Sequence, residues 1–224
     1  MEENFDQLLC QLHLRFIGKI IASFTHEIKN HLAIIKESAG LMDDILRIGK
    51  SSESNSSQYL DIINSIVEQV DKSIGLFRFL NSFAHRMDNQ FCNFHINESL
   101  EELIALMTRL ANQKRISFEK SFDPELPELY NNPSLFQFVI FCYFERYIQQ
   151  SGNGNSIIVT TEKMDDSVRI SLSFKGDIIN YEPLNDSSEI IYTIVKEKMK
   201  GEIEDKGNVV VMKISSISKK SNKS

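Results

Sequence analysis

The architecture the sequence predicts is a long helical hairpin, paired with a second copy into a four-helix bundle and followed by an α/β domain. Three observations predict it. Between residues 5 and 48 there is no proline, and apolar residues recur at helical spacing: Leu9, Leu12, Phe16, Ile20, Phe24, Ile28, Leu32, Ile35, Met42 and Ile45. After the polar, serine-rich stretch "GKSSESNSSQ" the same spacing resumes with Leu60, Ile63, Val67, Val70, Ile74, Phe77 and Leu80. Beyond about residue 88 the pattern changes to shorter helical and alternating segments. The expected divisions are residues 1–88 for the hairpin, 89–215 for the second domain and 216–224 for a frayed tail.

The first helix would be about 60 Å long at 1.5 Å per residue. Two such helices joined by a short turn carry more apolar surface than they can cover for each other, so the hairpin is expected to dimerise. In the second part, Asn97 is a plausible cap for a helix through Leu100, Leu103, Ile104, Met107 and Leu110, with Glu98 and Glu101 near its positive end. "ISFEKSF" alternates like a strand. "NNPSLFQFVIFCYFERYIQQ" opens with an Asn-Pro helix start and is apolar on most sides, which predicts a buried central helix. "SIIVTTE" and "SVRISLSF", divided by "KMDDS", predict a β-hairpin. A helix over residues 188–199 and two short strands, "GEIED" and "VVVMKI" around "KGN", complete a mixed sheet. No internal repeat is present.

Composition excludes several classes. At 42% hydrophobic and 25% charged the chain reads as globular rather than disordered. The longest strictly apolar run, residues 138–144, is far short of a membrane span, and "MEENFDQ" lacks the basic region of a secretory leader, so a cytoplasmic protein with no membrane partner is expected. A net charge of −6 argues against nucleic acid. Cys10, Cys92 and Cys142 are an odd number without a CxxC pair, and predict reduced, mostly buried thiols.

Within "FTHEIKNHLAII", His26 lies about 160 to 200 degrees from Phe24 and Ile28 at 100 degrees per residue, which turns it to the outer face. His26 and His31 are five apart and diverge by about 140 degrees, so the helical zinc pattern of His at i and i+4 is not met. His13, His85 and His95 show no spacing that marks a site. An exposed neutral imidazole is a competent nucleophile near pH 7, and the adjacent Glu27 is placed to orient it or take its proton. Asn30 is one turn from His26 on the same face.

"FTHEIKNHLAII" resembles the H-box of sensor histidine kinases: a phosphoacceptor His, an acid, two residues, Asn or Thr, commonly Pro, then Leu. Leu32 matches and His31 replaces the usual Pro. The upstream "LRFIGKIIASF", the second helix "YLDIINSIVEQVDKSIGLFRFL" and the order of elements to about residue 214 resemble the dimerisation domain and ATPase-like α/β sandwich of those kinases, which covers most of the chain. The resemblance implies that His26 accepts phosphate and that Asn30 helps place a water for removing phosphate from a partner's aspartate.

Three features that the family uses for ATP are missing. Cys142 and Arg146 stand where asparagines would hold magnesium, "SLSFKGDII" keeps only Gly176 of the acid-glycine segment with Asp177 as a shifted acid, and "SSEIIYTIVKEKM" has no glycine. The second domain is therefore read as a degenerate ATPase-like domain that needs no cofactor of its own. The resemblance implies a histidine phosphotransferase of a phosphorelay. Response-regulator receiver domains would be its partners, docked around Ala22, Thr25, Lys29 and Phe77, with magnesium and a lysine supplied by the receiver. Three alternatives stand beside it. One is a response-regulator phosphatase using Glu27 and Asn30. Another is a non-catalytic pseudokinase binding module, and the last is a kinase with a divergent site.

Overall fold

The computed structural model describes residues 2–48, 54–152, 154–176 and 185–217. Helix α1 (Glu2–Ile48) and helix α2 (Ser54–His85) form the expected hairpin. The chain then makes strand β1 (Cys92–Phe94), α3 (Ile96–Asn112), β2 (Ser117–Ser121), β3 (Leu129–Asn131) and α4 (Pro133–Gln150). These are followed by β4 (Ser156–Lys163), β5 (Ser167–Lys175), α5 (Asn185–Thr193), β6 (Glu202–Asp205) and β7 (Val209–Ser215). Five strands form a mixed sheet in the order β2-β4-β5-β7-β6, with β2 parallel to β4 and the other pairs antiparallel.

Alternation along the central strands sends one face inward: Ile157 and Val159 from β4, Val168, Ile170, Leu172 and Phe174 from β5, and Val210, Met212 and Ile214 from β7. Against this face lies α4. Its Asn132 cap accepts a hydrogen bond from the Leu135 amide, and a proline fills the first turn where no amide donor is needed. α4 is buried nearly all round because it has a neighbour on both sides. Tyr147 stacks on Phe174 of the sheet at 5.2 Å, while Phe141 and Phe138 meet Phe16 of α1 at 4.6 and 5.9 Å. Phe16, Ile20, Phe24 and Phe83 of the hairpin thus belong to the same hydrophobic cluster as the α/β elements.

One side of the hairpin is spent on the α/β part and the other is left open. On α2 the residues Leu60, Ile63, Val67, Val70, Ile74 and Phe77, spaced alternately three and four apart, are all 41–60% exposed. This is the seam spacing of a coiled coil. Leu14, Ile21 and Leu32 add an exposed row on α1. By length and composition alone α1 is long and apolar enough to cross a membrane. Phe16, Ile20 and Phe24 of that helix are nevertheless packed in the core.

Several expectations are corrected. Asn97 is not the cap of α3: the helix begins at Ile96, His95 precedes it, and the Asn97 amide donates to the Asp123 carbonyl at 2.7 Å while its oxygen accepts from Thr161. The short antiparallel pair of β1 and β3 was not expected, because three-residue strands carry too little alternation to read. The last helix ends at Thr193 and continues as a five-residue π-helical turn, Ile194–Lys198. Cys10 is exposed rather than buried. Asp177, part of the serine-rich break and the tail beyond residue 217 lie outside the described residues.

Candidate functional site

α1 carries the stretch that resembles an H-box. His26 is exposed and makes no hydrogen bond or ion pair with any described residue. On the helical wheel it lies about 120 to 140 degrees from the exposed row of Leu14, Ile21 and Leu32. A second copy covering that row would leave His26 open.

Glu27 turns away from His26. Its Oε2 accepts from the Asn30 amide at 3.4 Å, and its Oε1 is 3.7 Å from His31 Nε2. The structure therefore joins Glu27 to Asn30 and His31, and leaves the His26 ring without a bond to it.

His31 is the residue that the sequence reading passed over. It is 6% exposed, and its Nδ1 lies 3.0 Å from Ser73 Oγ on α2. The Ser73 hydroxyl spends its one proton on the Gln69 carbonyl at 2.8 Å, so His31 Nδ1–H is the donor to Ser73. In the neutral ring Nε2 is then bare and faces Glu27. His31 ties α2 to the acid beside His26, a connection that a proline at this position could not make. The available signal was its wheel position, within about 20 degrees of Ile20 and Phe24 on the core face.

The second candidate site is in the α/β part, at the position where the resemblance expects metal-binding asparagines. Arg146 is 3% exposed, and its Nη1 and Nη2 donate to Asp205 Oδ2 and Oδ1 at 2.7 and 3.3 Å. Nη2 also donates to the Gly207 carbonyl at 3.3 Å, which the Tyr147 hydroxyl shares at the same distance. The guanidinium carbon lies 4.9 and 5.1 Å from the ring centres of Tyr143 and Tyr147. Burial pulls the Arg146 pKa down, but hydrogen bonds and charge from Asp205 outweigh it and hold it above the ordinary value. Burial pushes the neighbouring Cys142 thiol up to about 12, so it offers no thiolate.

These side chains do not suit a magnesium–nucleotide complex, because a fixed cation stands where an amide oxygen would face the metal. Gly176 also has a local role. Its φ is +128°, and a Cβ there would run into the Asn155 side chain. Among the described residues no cluster of three or more His, Cys, Asp or Glu could hold a metal ion.

No family model matches the chain. It is similar to sporulation kinase E of Bacillus subtilis, with 24% identity over 189 residues, covering 84% of this chain and 24% of that protein. It is also similar to the sensor protein DegM of a Bacillus species, with 22% identity over 159 residues, covering 71% of this chain and 39% of that protein. The chain thus spans well under half the length of these curated relatives. Among solved structures, the nucleotide-free catalytic domain of the histidine kinase ThkA superposes with a TM-score of 0.51 and 20% identity, covering 58% of this chain and all of that domain. The long helical region leads into an α/β domain with the fold of a histidine kinase catalytic domain, and the chain is histidine-kinase-like.

Proposed function

We propose that this histidine-kinase-like chain is a dimeric, cytoplasmic histidine phosphotransferase of a two-component phosphorelay. It takes phosphate onto His26 from the aspartate of one response-regulator receiver domain and gives it to another. The contrast between two positions carries the reading: His26 is exposed and unbonded on α1, whereas Arg146 and Asp205 are locked together where a kinase would hold its metal.

In the transfer, the unprotonated ring nitrogen of His26 attacks phosphorus in line. A nitrogen–phosphorus bond forms, the bond to the receiver's aspartate oxygen breaks, and that carboxylate leaves. The other ring nitrogen keeps its proton, so the ring is transiently cationic, a charge that the Glu27 carboxylate favours once it turns from Asn30 and His31 toward the ring. The reverse steps load a second receiver. The receiver's magnesium and lysine stabilise the phosphoryl charge, so this chain needs no cofactor. Dimerisation through Leu60 to Ile74 of the open α2 seam would leave His26, and Phe77 beside Phe24, for the receiver.

A phosphatase reading is supported by one specific contact, the Asn30 amide on Glu27, which could hold a water instead of activating the ring. One experiment separates the readings. Wild type and His26→Ala are mixed with a panel of receiver domains carrying labelled phosphate. Label on the wild-type chain alone supports the phosphotransferase, and label released as free phosphate by both supports the phosphatase. Label that stays on every receiver overturns both in favour of a pseudokinase binding module.

A further inference from the structure

Where α1 crosses the ends of α3 and α4 there is a half-open cleft of about 420 Å³. This is within the range that accommodates a small organic ligand, and it lies at a junction of packed units, where such sites concentrate. Ala22, Met107, Leu110 and Ile148 give it apolar walls, and Lys19, Arg109, Lys114 and Glu145 bring charge to it.

The charges do not balance. Glu145 is already used: Lys19 pairs with it directly, Arg15 approaches at 4.0 Å, and the Gln149 amide donates to it at 3.2 Å. Arg109 and Lys114 have no acidic partner among the described residues. Three cations against one carboxylate leave a net charge of two positive, in a chain whose net charge is −6.

Nor are Arg109 and Lys114 needed to close α3. Its last carbonyls are taken by backbone amides: Gln113 donates to Arg109, Lys114 and Ile116 to Ala111, and Arg115, in the left-handed region at φ 53°, to Asn112. Two cations without partners beside apolar walls match a ligand with one anionic head and an apolar body.

We infer that this cleft binds an amphipathic organic anion, a carboxylate or sulfonate on an apolar body, with its head between Arg109 and Lys114 and its body against Ala22, Leu110 and Ile148. The site is independent of the phosphotransfer reading. It lies on the His26 side of α1, where Lys19 is two turns and Ala22 one turn before the phosphoacceptor, so dimerisation through the opposite row leaves it open.

The test uses the full chain and 8-anilinonaphthalene-1-sulfonate as probe, followed by fluorescence, with laurate as competitor. The expected result is one saturable site per chain that laurate displaces. The double variant Arg109→Glu, Lys114→Glu should weaken it at least tenfold, and Ala22→Phe, which fills the cleft from an exposed helix position, should abolish it. Lys72→Glu, an exposed charge reversal on α2 away from the cleft and the apolar seam, should leave it unchanged. Circular dichroism checks that each variant folds. Probe binding that is non-saturable, that survives both cleft variants, or that is lost with Lys72→Glu alone would overturn the site.

Discussion

Asp205→Asn is expected to destabilise the fold by about 2–3 kcal/mol. Removing one member of a buried ion pair costs about 3–5 kcal/mol because the other charge is stranded. Two features place this pair at or below the lower end of that range. The Asp205 side chain is 27% exposed, so water already reaches it, and Arg146 keeps the Gly207 carbonyl and two tyrosine ring faces when the charge is lost. The asparagine retains an acceptor for the Gly207 amide, so the turn is preserved. At about 2–4 °C per kcal/mol for a chain of this size, the melting midpoint should fall by about 4–12 °C. Urea unfolding at fixed protein concentration gives the free energy. Arg146→Met should cost a similar amount, whereas Arg146→Met with Asp205→Leu removes both charges together and should lie within about 1 kcal/mol of wild type. A cost below about 0.5 kcal/mol for Asp205→Asn, or single costs that simply add in the double variant, would refute the view that Arg146 is held by Asp205. Arg146→Asn sharpens the point: it supplies the amide that the kinases use, and it should lose stability without gaining Mg-ATP binding in a calorimetric titration.

Other perturbations probe the hairpin. Ile63→Glu with Val70→Glu places charge on the exposed α2 seam and should convert a dimer to a monomer in sedimentation velocity with little loss of helicity; a species of unchanged size would remove the seam from consideration. His13 packs edge-on against Phe138 at 4.6 Å, and burial lowers its pKa. The unfolded chain therefore takes up a proton below about pH 6.5 that the folded chain refuses, so stability should be complete above that pH and fall as pH drops toward the lowered value, and His13→Leu should flatten that limb of a pH series of urea melts. His31→Ala removes the bond to Ser73 and the contact with Glu27 and should cost about 1–2 kcal/mol while shifting the phosphotransfer rate; a rate unchanged at equal folded fraction would limit His31 to packing.

Local spacing made the hairpin legible. A period of 3.6 over forty residues predicts the helix and turns His26 outward, whereas which apolar rows stay open, Leu14, Ile21 and Leu32 on α1 among them, is decided by where the α/β part packs. The alternation of β4 and β5 and the Asn-Pro opening of α4 are legible in the same local way, each being a contest among residues a few positions apart. Asn97 misled because a cap is chosen by how the preceding chain enters the helix, and here Asp123 and Thr161 claimed its side chain.

What the tertiary structure decided are the contacts between distant residues. Arg146 meets Asp205 across 59 positions and His31 meets Ser73 across 42, and nothing in the spacing near either residue names its partner. The sequence by itself determined that a histidine is displayed on the outer face of a long helix. Only the packing of α4 between the sheet and α1 determined what the side chains of that buried helix do: it brings Arg146 to Asp205 and opens the cleft beside Ala22. Periodic burial is a property of the chain's own geometry, whereas pairing of charges depends on which surfaces the assembled core brings together.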